Sequence, residues 1–320
     1  MTDAAASGVP ARGGGPARPP CGVIGAGSLG AGIAQRLAGT GHPVVAFDLD
    51  AERVAALAEA GVSPGSSARE VAERSQFIVL ALPDTSHIEA CLEGDDDGLA
   101  AGLTAGSLVL LVSTVDPSTP GDVARRLAPL GVDVLDTPVS GGPVAARSGT
   151  LALMVGGSPD AFDRARPVLD CLGDRVVHIG PVGSGEIAKL VNNLMGAVIA
   201  VGIAEGLALA AKAGVDVEQV RRAVSGGSGG SWILSEWIPR TVLTRERPTH
   251  FAVDLMCKDM GLVRELAERL DVPIAAGALA ETTFAELQRS GHGQEDFSIL
   301  AAVLAQRAGT SLPVVDPAEG

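Results

Sequence analysis

Basic side chains are scarce in this chain of 320 residues: 24 lysines and arginines stand against 38 aspartates and glutamates, for a net charge of −14. A nucleic acid or an anionic membrane requires a basic face, so neither is expected as a partner. Cysteine is also sparse. Cys21, Cys91, Cys171 and Cys257 lie far apart, form no C-x-x-C pair and have no histidine at ligand spacing. That excludes a recognisable metal centre and leaves four thiols suited to a reducing compartment. The uncharged run around 194–204 is too short to cross a bilayer. The first 19 residues are rich in Ala, Gly, Pro and Arg but have no apolar core segment, so they read as a disordered arm and not a signal peptide. The cytoplasm is the expected location. Acid is dispersed except at Asp95-Asp96-Asp97, read as a solvated turn.

What is present is apolar. Hydrophobic residues make up 46% of the chain, ample for one large or two ordinary domains. After a short strand at 21–25 comes Gly25-Ala26-Gly27-Ser28-Leu29-Gly30, then a helical stretch, then a second strand ending at Asp48. This order is the setting that a dinucleotide fingerprint requires. Gly25 permits the turn, Gly27 lets a pyrophosphate approach the backbone, and Gly30 lets helix pack on strand. Amides at the helix start, around Ser28 and Leu29, face the phosphates. Asp48 accepts hydrogen bonds from a ribose and repels a 2′-phosphate, and Leu49-Asp50 brings no arginine directly after it. NAD is therefore expected over NADP. Asp50 is explained as a helix N-cap.

Strands continue at 76–82, 107–113, 132–136, 151–155 and 176–179, interleaved with helical stretches, which indicates a Rossmann-type, doubly wound, mainly parallel α/β sheet. Ligands on such sheets bind beyond the carboxyl ends of the strands. The relevant loops are Leu82-Pro83-Asp84, Ser113-Thr114-Val115 and Pro138-Val139-Ser140-Gly141-Gly142, with Pro83 and Pro117 also readable as strand stops. In the last loop two glycines after a serine free backbone N–H groups to surround an oxygen anion.

Gly180 to Asn193 opens the second half. Ile187, Leu190, Leu194, Ala197 and Val198 recur at helical spacing and predict one buried stripe on a helix running to about Ala211. Gly185, Lys189 and Asn193 then lie one turn apart on one face, with Gly185 expected to leave open space beside the lysine. A cation, an amide and a gap suit a small polar substrate. No charge follows until Glu205, so the helix reads as interior and Lys189 as desolvated, its pKa lowered toward proton-transfer chemistry. Past Ala211 no strand is expected. Helices are predicted at 217–224, 254–270 and 274–289, with a last one capped near Asp296 and running to Arg307. Residues 225–231, with four glycines, are expected as a mobile loop leading into Trp232. The resulting division is an arm at 1–19, a dinucleotide-binding domain at 20–181, an all-α domain at 182–312 joined through the long helix, and a tail at 313–320.

Four stretches carry a likeness to a known family: Gly25 to Gly30 with Asp48; Asp136 to Thr150 with Met154-Val155-Gly156-Gly157; Gly180 to Asn193; and Lys258-Asp259 with Asp296-Phe297-Ser298. On these residues the chain resembles the β-hydroxyacid dehydrogenases, in the 3-hydroxyisobutyrate dehydrogenase and tartronate semialdehyde reductase branch. The resemblance implies that Lys189 is the catalytic lysine. It implies that Ser140, Gly141 and Gly142 grip a substrate carboxylate, and that Asn193 or Asn192 orients the substrate. It places Leu82, Pro83 and Thr114 at NAD, with Lys258 reaching over the cofactor from the helical domain. Homodimers or homotetramers are implied as well. His87 stands where some relatives carry a polar cofactor contact, and Trp232 aligns with a pocket aromatic but is equally readable as core. The related imine reductases usually lack the lysine, and a non-catalytic NAD-binding sensor would have no need for it beside the Ser140 loop.

Overall fold

The computed structural model describes residues 18–94 and 97–314. The arm expected at 1–19 and the tail at 313–320 lie mostly outside those residues, as do Asp95 and Asp96 of the acidic turn. The end of the arm is described, and it is packed: Arg18 Nη1 donates to Cys171 Sγ at 3.0 Å, and His42 Nδ1 lies 2.9 Å from Pro19 O.

Among the described residues one sheet has nine strands: β1 (Cys21–Ile24), β2 (Val44–Phe47), β3 (Val62–Pro64), β4 (Phe77–Leu80), β5 (Leu108–Leu111), β6 (Asp133–Asp136), β7 (Val139–Ser140), β8 (Leu151–Gly156) and β9 (Gly173–Gly180). Their order is β3-β2-β1-β4-β5-β6-β8-β7, with β9 also pairing β8. Pairing is parallel from β3 to β6; β8 runs antiparallel to β6 and β7 and parallel to β9. The central strands read as unbroken apolar runs because helices cover both faces. Alternate residues divide between the two covers: Val79 and Leu110 join one core with Ile33 and Leu37, while Ile78, Leu80 and Leu111 join the other with Val71 and Ile88.

The covering helices are α1 (Ser28–Gly39), α2 (Ala51–Ala55), α3 (Ala68–Glu73), α4 (Thr85–Glu93), α5 (Leu99–Gly102), α6 (Thr119–Leu127), α7 (Gly142–Ser148) and α8 (Pro159–Leu172). Beyond β9 come α9 (Ser184–Lys212), α10 (Val217–Ser225), α11 (Ile238–Arg240), α12 (Val253–Arg269), α13 (Ala275–Leu287) and α14 (Ile299–Arg307). Helix α9 starts against β6, β8 and β9 and then runs among α12, α13 and α14, where Leu190, Ala197, Leu207, Met256, Phe284 and Leu300 form a separate core.

Several expectations need correction. Strands β3 and β7, of three and two residues, are too short to show a period. The Ser140 loop is therefore strand β7 running into α7. Helix α9 is not interior on all sides. Ile187, expected in its buried stripe, is 42% exposed, and Val191 and Met195 continue the exposed line at 49% and 58%. At 29 residues α9 is long and apolar enough by composition to cross a bilayer, yet here it is the helix on which the second domain packs. The loop expected at 225–231 is present, following the end of α10 at Ser225, with turns closed by Gly227 N–H to Val224 O and Gly230 N–H to Gly227 O. A π-helical turn at Ile233–Trp237 follows. The last helix is capped near Asp296, as expected, with Ser298 at its N-cap. The Asp296 side chain accepts from Trp237 Nε1 and from the backbone N–H groups of His250, Phe251 and Ser298, fixing the 250–251 segment.

Candidate active site

The glycine turn after β1 has the form that its sequence implies. A Cβ on Gly30 would stand 1.8 Å from Gly25 O, so the close helix–strand approach needs glycine there. A Cβ on Gly27 would meet nothing within 4 Å, which leaves open space in front of the turn. Helix α1 starts with no side-chain cap and no acid in its first turn, so its leading N–H groups at Ser28 and Leu29 are available to an anion. These features fit a dinucleotide pyrophosphate. Asp48, at the end of β2, accepts from Ala26 N–H at 2.7 Å and Asp50 N–H at 2.9 Å, which aims its carboxylate at the turn. Asp50 caps α2 as expected. Sequence reading missed Arg53, which reaches Asp50 at 3.2 Å and Asp48 at 3.8 Å; its position one turn into α2 was the available signal.

At the carboxyl ends of β4 and β5 the structure brings Pro83, Thr114 and Lys258 together: Lys258 Nζ donates to Thr114 O at 2.7 Å and lies 3.5 Å from Pro83 O. Leu82 N–H donates to Ser113 Oγ at 3.0 Å, tying the two loops. His87 is committed elsewhere, its Nδ1 lying 2.8 Å from Asp84, the cap of α4. That contact and the Ser86 hydroxyl hold the Asp84 carboxyl below its usual range.

Asp136, at the end of β6, supplies the N-terminal cap of α9 from a distance. Its Oδ1 accepts Gly183 N–H at 2.7 Å and its Oδ2 accepts Glu186 N–H at 2.9 Å. Gly185 leaves no open space, contrary to expectation: a Cβ there would lie 2.4 Å from Met154 O and 2.8 Å from Asp136 O. Its glycine instead lets α9 touch the sheet. Strand β8 thereby joins two of the expected stretches, because Ala152 pairs with Ser140 while Met154 abuts Gly185. Gly141 and Gly142 both take positive φ, at 124° and 69°, and a Cβ on Gly142 would lie 3.7 Å from His250 O, so the helical domain borders this turn.

Lys189 is 7% exposed and forms no hydrogen bond or ion pair with the described residues. Burial lowers its pKa, and the nearby Asp259 and Glu186 carboxylates offset part of that. Asn193, buried on the same face, donates from Nδ2 to Asp259 Oδ2 at 2.5 Å, and exposed Asn192 donates to Asn193 Oδ1 at 3.0 Å. Asn193 therefore shares the lysine's face, and Asn192 hydrogen-bonds to it. Asp259 Oδ1 lies 3.3 Å from Lys258 Nζ without hydrogen-bond geometry. Sequence reading quoted Asp259 within a motif and gave it no task; it ties Asn193 to Lys258. Trp232 is 55% exposed, which removes its reading as core, and it tilts against Trp237 at 5.5 Å. A cavity lined by Pro20, Arg74, Gln76 and Ser107 opens at the opposite, amino ends of β4 and β5, away from this cluster.

Residues 20–180 match the family model of the NAD binding domain of 6-phosphogluconate dehydrogenase, and residues 183–304 match that described as NAD-binding of NADP-dependent 3-hydroxyisobutyrate dehydrogenase. The chain belongs to the β-hydroxyacid dehydrogenase family. Within this family it is 35% identical over 283 residues to the NAD-dependent L-serine dehydrogenase of Pseudomonas aeruginosa, covering 87% of this chain and 95% of that one. It is 37% identical to the 3-hydroxyisobutyrate dehydrogenase of the same organism, covering 85% and 92%. A solved structure of Mycobacterium tuberculosis 3-hydroxyisobutyrate dehydrogenase with L-serine superposes with a TM-score of 0.80 at 28% identity, over 89% of this chain and 99% of that one. NAD is favoured as the cofactor, since the first of the two matched domains is an NAD-binding domain and the L-serine dehydrogenase relative is NAD-dependent.

Proposed function

We propose that this protein oxidises a small β-hydroxyacid of the 3-hydroxyisobutyrate or L-serine kind to its semialdehyde with NAD, with Lys189 as the acid/base group. The observation that carries this reading is the buried, unpaired Lys189 on the face of α9 that also presents Asn193. An amine held out of water loses its proton more readily than an exposed one, so it can accept a hydroxyl proton. Gly25, Gly27, Ser28, Leu29, Gly30 and Asp48 hold the dinucleotide, and Leu82, Pro83, Thr114 and Lys258 border its reactive end. When bound, the nicotinamide supplies a hydride acceptor. Lys189 removes the hydroxyl proton as the hydride leaves carbon, and it returns that proton in the reverse direction. Ser140, Gly141 and Gly142 receive the carboxylate, Asn193 orients the reacting carbon, and Trp232 borders the variable end of the substrate. A lysine so placed supports a hydroxyacid over an imine as substrate, and over a passive NAD sensor.

The test is NAD reduction with 3-hydroxyisobutyrate, L-serine, D-glycerate, threonate and 4-hydroxybutyrate; turnover of at least one is expected, and silence on all despite NAD binding contradicts the reading. Asp48→Ala is expected to weaken NAD by about tenfold, the worth of a charge-assisted hydrogen bond, while NADP weakens less or improves. Isothermal titration of both dinucleotides checks this.

The exposed line of Ile187, Val191 and Met195 supports a second copy of this chain packing on α9, in a homodimer or a homotetramer. Met195→Glu is expected to shift the protein toward monomer in analytical ultracentrifugation. A cytoplasmic setting accords with the four free cysteines.

A further inference from the structure

Lys189 has a buried neighbour that the proton transfer above does not use. Glu186 precedes it by three positions on α9, so the two side chains share a face. Glu186 is 0% exposed. Its Oε2 accepts Val115 N–H at 3.2 Å, and its Oε1 has no partner.

The charged groups around it come from three elements. Asp136 on β6 already accepts the N–H groups of Gly183 and Glu186. On α12, Asp259 accepts from Asn193 and faces Lys258, whose ammonium is bonded to Thr114 O. On α9 itself stands Lys189. Within this set Asp136 accepts at both oxygens and Asp259 is bonded to Asn193 and faces Lys258, whereas Glu186 keeps a bare Oε1 and Lys189 makes neither hydrogen bond nor ion pair with the described residues. An uncompensated buried carboxylate beside an uncompensated buried ammonium is costly in either isolated form. The cheap states are those in which the two groups together carry one proton, either as a neutral acid and neutral amine or as an ion pair.

Resting on Lys189 as the acid/base group, we propose that Glu186 and Lys189 hold a single proton between them, making Glu186 the positioning residue that sets whether Lys189 meets the substrate as amine or ammonium. With the proton on Glu186, Lys189 is an amine. In oxidation the substrate O–H bond breaks and its proton binds Lys189 Nζ, while the hydride leaves carbon for the nicotinamide. The pair then holds two protons, and the surplus one passes to water as product leaves. In reduction an ammonium at Lys189 gives its proton to the carbonyl oxygen, and the pair regains one from water. Burial accords with this sharing, raising the Glu186 carboxyl well above its ordinary value and lowering the lysine.

The experiment compares kcat/KM against pH in both directions for the wild-type holoenzyme, Glu186→Gln and Glu186→Asp. Glutamine keeps an acceptor for Val115 N–H but can never carry the negative charge that favours the ammonium. The acidic limb of oxidation and the alkaline limb of reduction are expected to move together to lower pH by about one unit, and aspartate is expected to return them toward wild type. A fall in rate at every pH with both limbs unmoved overturns the proposal and leaves Glu186 a packing residue. Glu186→Met, similar in length, carries the same test if the glutamine variant does not fold. Lys189→Ala separates this from the reading beneath it: full turnover in that variant removes Lys189 itself as the acid/base, whereas its inactivity with immobile limbs in Glu186→Gln removes only the shared proton.

Discussion

Lys189→Ala is expected to lower kcat by about three orders of magnitude, the usual cost of removing a positioned acid/base group, while NAD affinity stays within about twofold of wild type. The separation follows from where the parts lie. The dinucleotide turn is built by β1, α1 and Asp48, none of which bonds to Lys189. The lysine stands on α9, anchored to β6 through Asp136 and to β8 through Gly185. Removing its side chain therefore empties the reacting position without disturbing the phosphate turn. Steady-state turnover beside calorimetric NAD titration reads both quantities, and a joint loss of binding and turnover would place Lys189 in the cofactor site instead.

Gly185→Ala is expected to destabilise the protein by about 3 kcal/mol, lowering Tm by roughly 5–10 °C, because overpacking against rigid atoms at this size costs that much. A new methyl would press on Met154 O, Asp136 O and Asp136 Oδ2, two of which are backbone atoms that have no rotamer to turn aside. Moving α9 to make room would also break the Asp136 cap and shift Lys189, so activity should fall as well. Gly202→Ala is the matched control on the same helix: its Cβ would meet nothing within 4 Å, and replacing a helical glycine there is expected to be neutral or to stabilise by up to about 1 kcal/mol. Thermal melts of the two variants decide the matter; equal melting would mean that the close approach at Gly185 carries no stability.

Much of this architecture was legible in the residues. The apolar runs of β1, β4 and β5 and the glycine turn could be read directly, because parallel strands buried on both faces and a phosphate turn leave patterns that are local in sequence. Lys189 and Asn193 were legible as well, since helical spacing alone puts them on one face. What escaped was non-local. Asp136 caps α9 through Gly183, 47 residues later, and Asp259 reaches Asn193 across 66 residues, so no window of sequence contains either pair. Gly185 was legible as a gap but not as a contact, because the strand that fills the gap lies in the other domain. The exposed line through Ile187, Val191 and Met195 escaped for a different reason. An apolar helix buried all round and one that leaves an apolar line exposed have the same composition, and only the burial of its neighbours tells them apart.

The most direct measurement is the pH dependence of kcat/KM for NAD-dependent oxidation of the best hydroxyacid, in wild type and in Lys189→Ala. Activity in the wild type should rise through a single ionisation below the ordinary lysine value of about 10.4, and that limb should be absent from the residual rate of the variant. The same limb persisting in Lys189→Ala would assign the proton to another group and contradict the account.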